Sequence, residues 1–175
     1  MSSPDLQPPL SPDPFQESPL PDHSLAILRR LDREIERRAS SWMQILELTV
    51  RDLADAFAHF NWTGVYLVEG DDLVLGPFVG LPTEHLRIPV GRGICGAAAA
   101  TGSTIVVDDV RQDPRYLSCF VSTRSEIVVP ILIGDRVIGE IDIDSDQPAA
   151  FGAPDRALLE AVAERLARLA PSELR

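Results

Sequence analysis

Two thiols and a cluster of carboxylates are the residues of this chain best suited to chemistry. Cys95 ends the run Arg87-Ile-Pro-Val-Gly-Arg-Gly-Ile-Cys95, a glycine-rich turn that leads into an alanine-rich segment at 94–100. At the start of a helix, backbone amides favour a negative charge, and Arg92 stands close in sequence, so the spacing predicts a lowered thiol pKa. Cys119 follows Asp113-Pro-Arg-Tyr-Leu-Ser118 in a loop-like stretch, with Arg115 and Arg124 placed to act in the same way. The plainer alternative for each is a small buried apolar residue.

The carboxylates come mainly from Glu140-Ile-Asp-Ile-Asp144, where strand alternation puts Glu140, Asp142 and Asp144 on one face and both isoleucines on the other. Glu126, at the mouth of a neighbouring strand, is placed to join them. Like charges this close repel and raise at least one pKa if the face is enclosed. Such a face is either a solvated outer surface or a pocket that takes a cation, such as an amino acid's ammonium, and supplies a proton. Trp62 and Tyr66, four apart, share a face of their strand and either floor that pocket or fill the core. The two cysteines and scattered histidines do not make a zinc ligand pattern, so no metal is expected. No phosphate loop or Gly-X-Ser-X-Gly elbow occurs, and Gly91-Arg-Gly93 alone is no nucleotide fingerprint.

Composition narrows the partners. The net charge is −11, and all sixteen basic residues are arginine. Four acids lie in the first 23 residues, so the remainder, with 23 acids against 16 bases, is still acidic. That balance argues against nucleic acid and anionic membranes. Two cysteines do not make a disulfide scaffold, and no basic-then-apolar leader or membrane-length apolar run is present. The expectation is a cytoplasmic protein with reduced thiols.

The elements that must position these groups follow from periodicity. Residues 1–22, rich in Pro, Ser and Asp, read as a disordered tail, and residues 23–171 as one domain. Ser24 is the expected N-cap of a helix over 24–38. Leu28, Leu31, Ile35, Trp42, Ile45, Thr49 and Leu53 continue one apolar stripe, on one long helix or on two broken near Ala39-Ser40-Ser41. That stripe packs on the sheet, or its first half pairs with a second copy in a homodimer. Strands are expected at 62–68 and 73–79 around Glu69-Gly-Asp-Asp72, then a loop at 81–90, a short helix at 94–100, and a strand at 104–107. A second hairpin, 127–133 and 136–143, turns at Gly134-Asp135. Its first strand is apolar at nearly every position, as for a central strand covered on both faces. A last helix over 154–169 has Pro154 and Asp155 in its first turn and stops at Pro171. The class is α+β, with a central antiparallel sheet flanked by N- and C-terminal helices.

Several of these strings together resemble the free methionine-(R)-sulfoxide reductases, which are single GAF domains. They are Asn61-Trp-Thr-Gly-Val-Tyr66, Leu75-Gly-Pro-Phe78, Arg87 to Gly96, Cys119, Ser125-Glu-Ile-Val-Val-Pro130 and Ile141-Asp-Ile-Asp-Ser145. The resemblance covers roughly residues 40–170 and omits the proline-rich tail. It implies that Cys119 attacks the sulfoxide sulfur and becomes a sulfenic acid, with Cys95 as the resolving thiol. It implies that Glu126, Asp142 and Asp144 bind substrate and assist protonation, and that Trp62 and Tyr66 hold the methyl-sulfoxide end. It further implies no bound cofactor, with NADPH-linked thioredoxin reducing the disulfide. The family usually carries a third cysteine ten residues before the glycine-turn cysteine; this chain has His85 there. Two other readings compete with the enzyme, a non-catalytic GAF ligand sensor and a redox switch built on a Cys95–Cys119 disulfide.

Overall fold

Strand alternation gives the sheet two unlike faces, and the helices cover the aliphatic one. The computed structural model describes residues 20–37, 40–118 and 120–174. In chain order the elements are α1 (Asp22–Arg37), α2 (Trp42–Ala56), β1 (Trp62–Glu69), β2 (Asp72–Val79), β3 (Arg87–Pro89), α3 (Gly93–Thr101), β4 (Ile105–Val107), β5 (Ser125–Ile133), β6 (Arg136–Ser145) and α4 (Ala153–Leu169). The six strands form one sheet in the order β3-β2-β1-β6-β5-β4, with every neighbouring pair antiparallel. The two hairpins turn where the sequence places them, across Gly70-Asp71 and Gly134-Asp135. This is the expected α+β arrangement. The strand expected to be central, β5, lies one place in from an edge, yet it is buried from Ser125 to Ile131.

On the helix side, Ile127, Val129 and Ile131 of β5 join Ile141 and Ile143 of β6 and Val65 of β1. Leu46 and Leu53 of α2, Leu31 of α1 and Leu158, Leu159 and Leu166 of α4 close over them, each essentially fully buried. Each such side chain contributes about 1.5–3 kcal/mol through its removal from water. The helix stripe does break into two. Ser41 caps α2 through a reciprocal box, its Oγ accepting from the Gln44 N–H at 3.3 Å while the Gln44 side chain accepts from the Ser41 N–H at 2.9 Å. Arg165 of α4 ties α1 down by donating to both oxygens of Asp32, at 2.8 and 3.3 Å. The first half of the stripe is therefore covered within the chain, by α2 and α4.

Three expectations need correction. Helix α1 begins at Asp22, which had been assigned to the tail, and Ser24 lies buried inside the helix instead of capping it. The entry is set by Pro21, whose carbonyl accepts from the Leu25 N–H at 3.1 Å. The stretch read as a loop at 81–90 contains β3, an edge strand of three residues whose Pro89 hid it from strand propensity. The tail over 1–19, and Arg38 at the end of the predicted first helix, lie outside the described residues. Among the described residues no helix is long and apolar enough to cross a membrane.

Candidate active site

The opposite face of the same strands is built in cross-strand rows. Residues paired in register on β1, β6 and β5 point to one side, giving the rows Trp62–Asp144–Glu126, Gly64–Asp142–Val128 and Tyr66–Glu140–Pro130. Helix α3 lies over these rows, and the segment between β4 and β5 brings Leu117 to their margin. Tyr66, His85, Cys95, Glu126, Asp142 and Asp144 line the resulting pocket.

The acidic face is thus no solvated outer surface. Glu126, Glu140, Asp142 and Asp144 are all at least 95% buried, with relative exposures of 5%, 0%, 5% and 4%. Burial penalises their charged forms, and their mutual repulsion adds to it. Asp142 is pushed from the ordinary carboxylate range to about 7 by burial. Burial raises Glu126, Glu140 and Asp144 well above that range, and the charge of Asp142 is the next contribution for each. Both oxygens of Glu140 and Oδ1 of Asp142 are buried with no hydrogen-bond partner among the described residues. The pocket therefore carries protons that it can release, and acceptors that are waiting for a donor.

Cys95 reverses its expectation. It sits in the first turn of α3 as expected, but is only 6% exposed, while Arg92 is exposed. Burial pushes its thiol well up, and the charges of Asp142, Glu140 and Glu126 add to the shift. The helix N-terminus is overruled by burial first, and then by the charges of three carboxylates from the sheet. Cys95 is a free thiol whose Sγ–H donates to Glu126 Oε1 at 3.8 Å. Gly93 delivers it there: its φ is +76°, and a Cβ would lie 2.7 Å from the Leu117 side chain. Cys119 lies outside the described residues. The arginines expected to serve it are engaged with aspartates, Arg115 with Asp113 at 2.6 Å and Arg124 with Asp109 at 3.6 Å.

The aromatic pair is buried and rigid. Trp62 donates through Nε1–H to the Leu81 carbonyl at 3.1 Å and stacks on Phe78, with ring centroids 5.7 Å apart. Its ring lies across Gly64, where a Cβ would meet it at 2.3 Å, so this row tolerates no side chain. Tyr66 walls the pocket and donates through its hydroxyl to the His85 carbonyl at 2.8 Å. Trp62 borders an adjoining recess instead, which shares Asp144 with the pocket. His85, at the position where the family usually has a cysteine, also reaches the pocket. Its Nε2 lies 3.3 Å from the Ser118 carbonyl, a bond that requires the Nε2–H tautomer.

Of the residues singled out in sequence, the structure brings together Cys95, Glu126, Asp142, Asp144 and Tyr66, with Trp62 one recess away. Glu140 was read on the acidic face but not as a working residue, although it is the most buried of the four. Ile88, Ile94 and Leu117, which complete the apolar wall, carried no signal in sequence beyond hydrophobicity.

In this curled sheet, α3 and two long connections enclose a pocket on one face. The GAF domain model matches residues 42–169, and the chain belongs to that family. A free methionine-R-sulfoxide reductase of Escherichia coli is 36% identical over 130 residues, 74% of this chain and 78% of the relative. By that relationship the chain falls, within the GAF domains, in the family that includes the free methionine-R-sulfoxide reductases. The Bacillus subtilis protein YtsP is 43% identical over 108 residues, 61% of this chain and 66% of its own length, so the match stops just short of two thirds of that relative. Among solved structures, the free methionine-R-sulfoxide reductase of Neisseria meningitidis, determined in complex with its substrate, superposes with a TM-score of 0.76 at 38% identity. That superposition covers 83% of this chain and 87% of the other.

Proposed function

We propose that this protein reduces free L-methionine-(R)-S-oxide to methionine, with thioredoxin restoring its thiols in a reducing, cytoplasmic setting and with no bound cofactor. The observation that carries the reading is a buried acidic recess beside a thiol. Among the described residues none of its four carboxyls has an ion-pair partner. A free amino acid brings an ammonium to such a recess, and a methionine inside a peptide does not. Glu126, Asp142 and Asp144 bind that ammonium, Tyr66 and Trp62 hold the methyl-sulfoxide end, and a protonated carboxyl of the cluster supplies the proton.

The thiolate of Cys119 attacks the sulfoxide sulfur, forming an S–S bond, while the oxygen takes up a proton. The resulting hydroxyl then moves from the substrate sulfur to the Cys119 sulfur as the S–S bond breaks with its electron pair going to methionine, which leaves, and Cys119 is left as a sulfenic acid. Cys95 then attacks that sulfur and water departs, giving a disulfide that a thioredoxin dithiol reduces. Cys95 suits the second step better than the first, because its buried thiol is held protonated until Glu126, already its hydrogen-bond acceptor, takes the proton. His85 occupies the position where the family usually has a further cysteine, so the cycle rests on these two thiols.

The test is NADPH oxidation coupled through thioredoxin and its reductase, with free methionine-(R)-sulfoxide as substrate. Wild type turns over and Cys119→Ser does not. Cys95→Ser completes one turnover and stalls. A non-catalytic ligand-sensing module is favoured by one observation, the same raised thiol pKa of Cys95. Methionine binding without turnover in wild type would select it.

A further inference from the structure

We propose that Cys95, Glu126 and Asp142 form a binding site for one thiophilic divalent cation of the Zn²⁺ type. The three residues come from α3, β5 and β6, far apart in sequence, and one ligand atom from each lies within 4.8 Å of the other two. The Cys95 Sγ to Glu126 Oε1 distance is 3.8 Å. A tetrahedral zinc with S at about 2.3 Å and O at about 2.0 Å needs that edge to be about 3.5 Å, so this edge closes by a few tenths of an ångström, while the two edges to Asp142 lie within 4.8 Å. The second, independent observation is Asp142 itself. It is 95% buried (5% exposed), and its Oδ1 has no hydrogen-bond donor among the described residues. Behind it, Glu140 is fully buried with both oxygens equally unpartnered. A dication supplies the positive charge that this cluster lacks.

The donor set selects the metal class. One thiolate and two carboxylates suit a borderline ion that accepts four ligands, whereas Ca²⁺ and Mg²⁺ prefer six or more oxygens and Cu(I) prefers sulfur throughout. Three protein ligands leave the fourth position to water, as in zinc sites that keep an open coordination position. The site stands independently of the proposed reduction. If that reaction is also correct, the ion occupies the place of the substrate ammonium and competes with it.

The experiment uses the reduced, chelator-treated full chain, titrated with Zn²⁺ against a chromogenic chelator and with Co²⁺ as the spectroscopic probe. The expected result is one ion per chain and a Co²⁺–thiolate charge-transfer band. Cys95→Ser abolishes the band and Asp142→Asn weakens Zn²⁺ binding at least tenfold, while Cys119→Ser keeps both the band and the affinity. Should Cys95→Ser fail to fold, alkylation of the wild type gives the same answer. Bound Zn²⁺ then protects Cys95, mapped by mass spectrometry. The proposal is overturned by no uptake, by a band that follows Cys119 instead of Cys95, or by Zn²⁺ that leaves Cys95 alkylation unchanged. Turnover enters none of these readouts, so failure here and failure of the reductase reading are told apart.

Discussion

The two faces of one sheet differ in what burial does to them. On the helix face, Ile141 and Ile143 are packed against leucines of three helices, and these side chains stabilise the fold by leaving water. On the pocket face, the intervening Glu140, Asp142 and Asp144 are just as buried and gain nothing from it in the unliganded protein. Between residues 140 and 144, β6 thus stabilises with its odd positions and buries carboxyls at its even ones. The stability of this fold and the affinity of its pocket are therefore separable by a shift of one residue.

The largest expected effect sharpens that separation from the stable side. Leu158→Ala, at a fully buried site on α4, lowers unfolding free energy by about 2–5 kcal/mol in a denaturant titration while leaving substrate KM unchanged. On the other face, Asp142→Asn acts in the opposite sense. A folded-state pKa raised to about 7 means that Asp142 costs nothing below the unfolded carboxyl range and destabilises progressively as pH rises through about 7. Free-protein stability therefore falls between about pH 4 and pH 7, by roughly 4 kcal/mol at most from this group. The Asn variant flattens that slope and has a higher Tm than wild type at pH 8. Glu140→Gln moves the midpoint in the same direction, because burial and the Asp142 charge raise its pKa too. Gly64→Ala breaks the comparison from within the pocket face. The new Cβ displaces the Trp62 ring, costs about 1–3 kcal/mol and raises KM, measured by thermal melts and initial rates. The smallest effect belongs to Arg87→Ala on the edge strand, whose exposed ion pairs with Glu69 and Asp72 leave Tm unmoved at 0.5 M salt.

What was legible in sequence was whatever has a local period. Alternation at 140–144 located the acidic face, the turns at Gly70 and Gly134 located both hairpins, and the helix stripe located α1 and α2 to within a few residues. Arg87–Pro89 escaped because three residues around a proline have no measurable period, and their strand character comes from pairing with β2. Cys95 was misread for a related reason. Its sequence neighbours, a helix start and Arg92, argue for a thiolate, but its spatial neighbours arrive from β5 and β6 and decide the opposite. His85 has no local signal for the pocket, because only the closing of two long connections brings its ring to the Ser118 carbonyl and to the pocket wall.

The central claim is that the buried carboxyls bind a free amino acid for reduction. The direct measurement is to incubate the reduced protein with thioredoxin, its reductase, NADPH and racemic free methionine sulfoxide. Methionine and each remaining diastereomer are then quantified by chiral chromatography, for wild type and for Asp142→Asn. Wild type is expected to consume the R form alone. Asp142→Asn, folded and with unreduced Tm, is expected to lose about 100-fold in kcat/KM, as when a charged partner is removed from a buried site. No methionine from wild type, or an Asn variant as active as wild type, would contradict it.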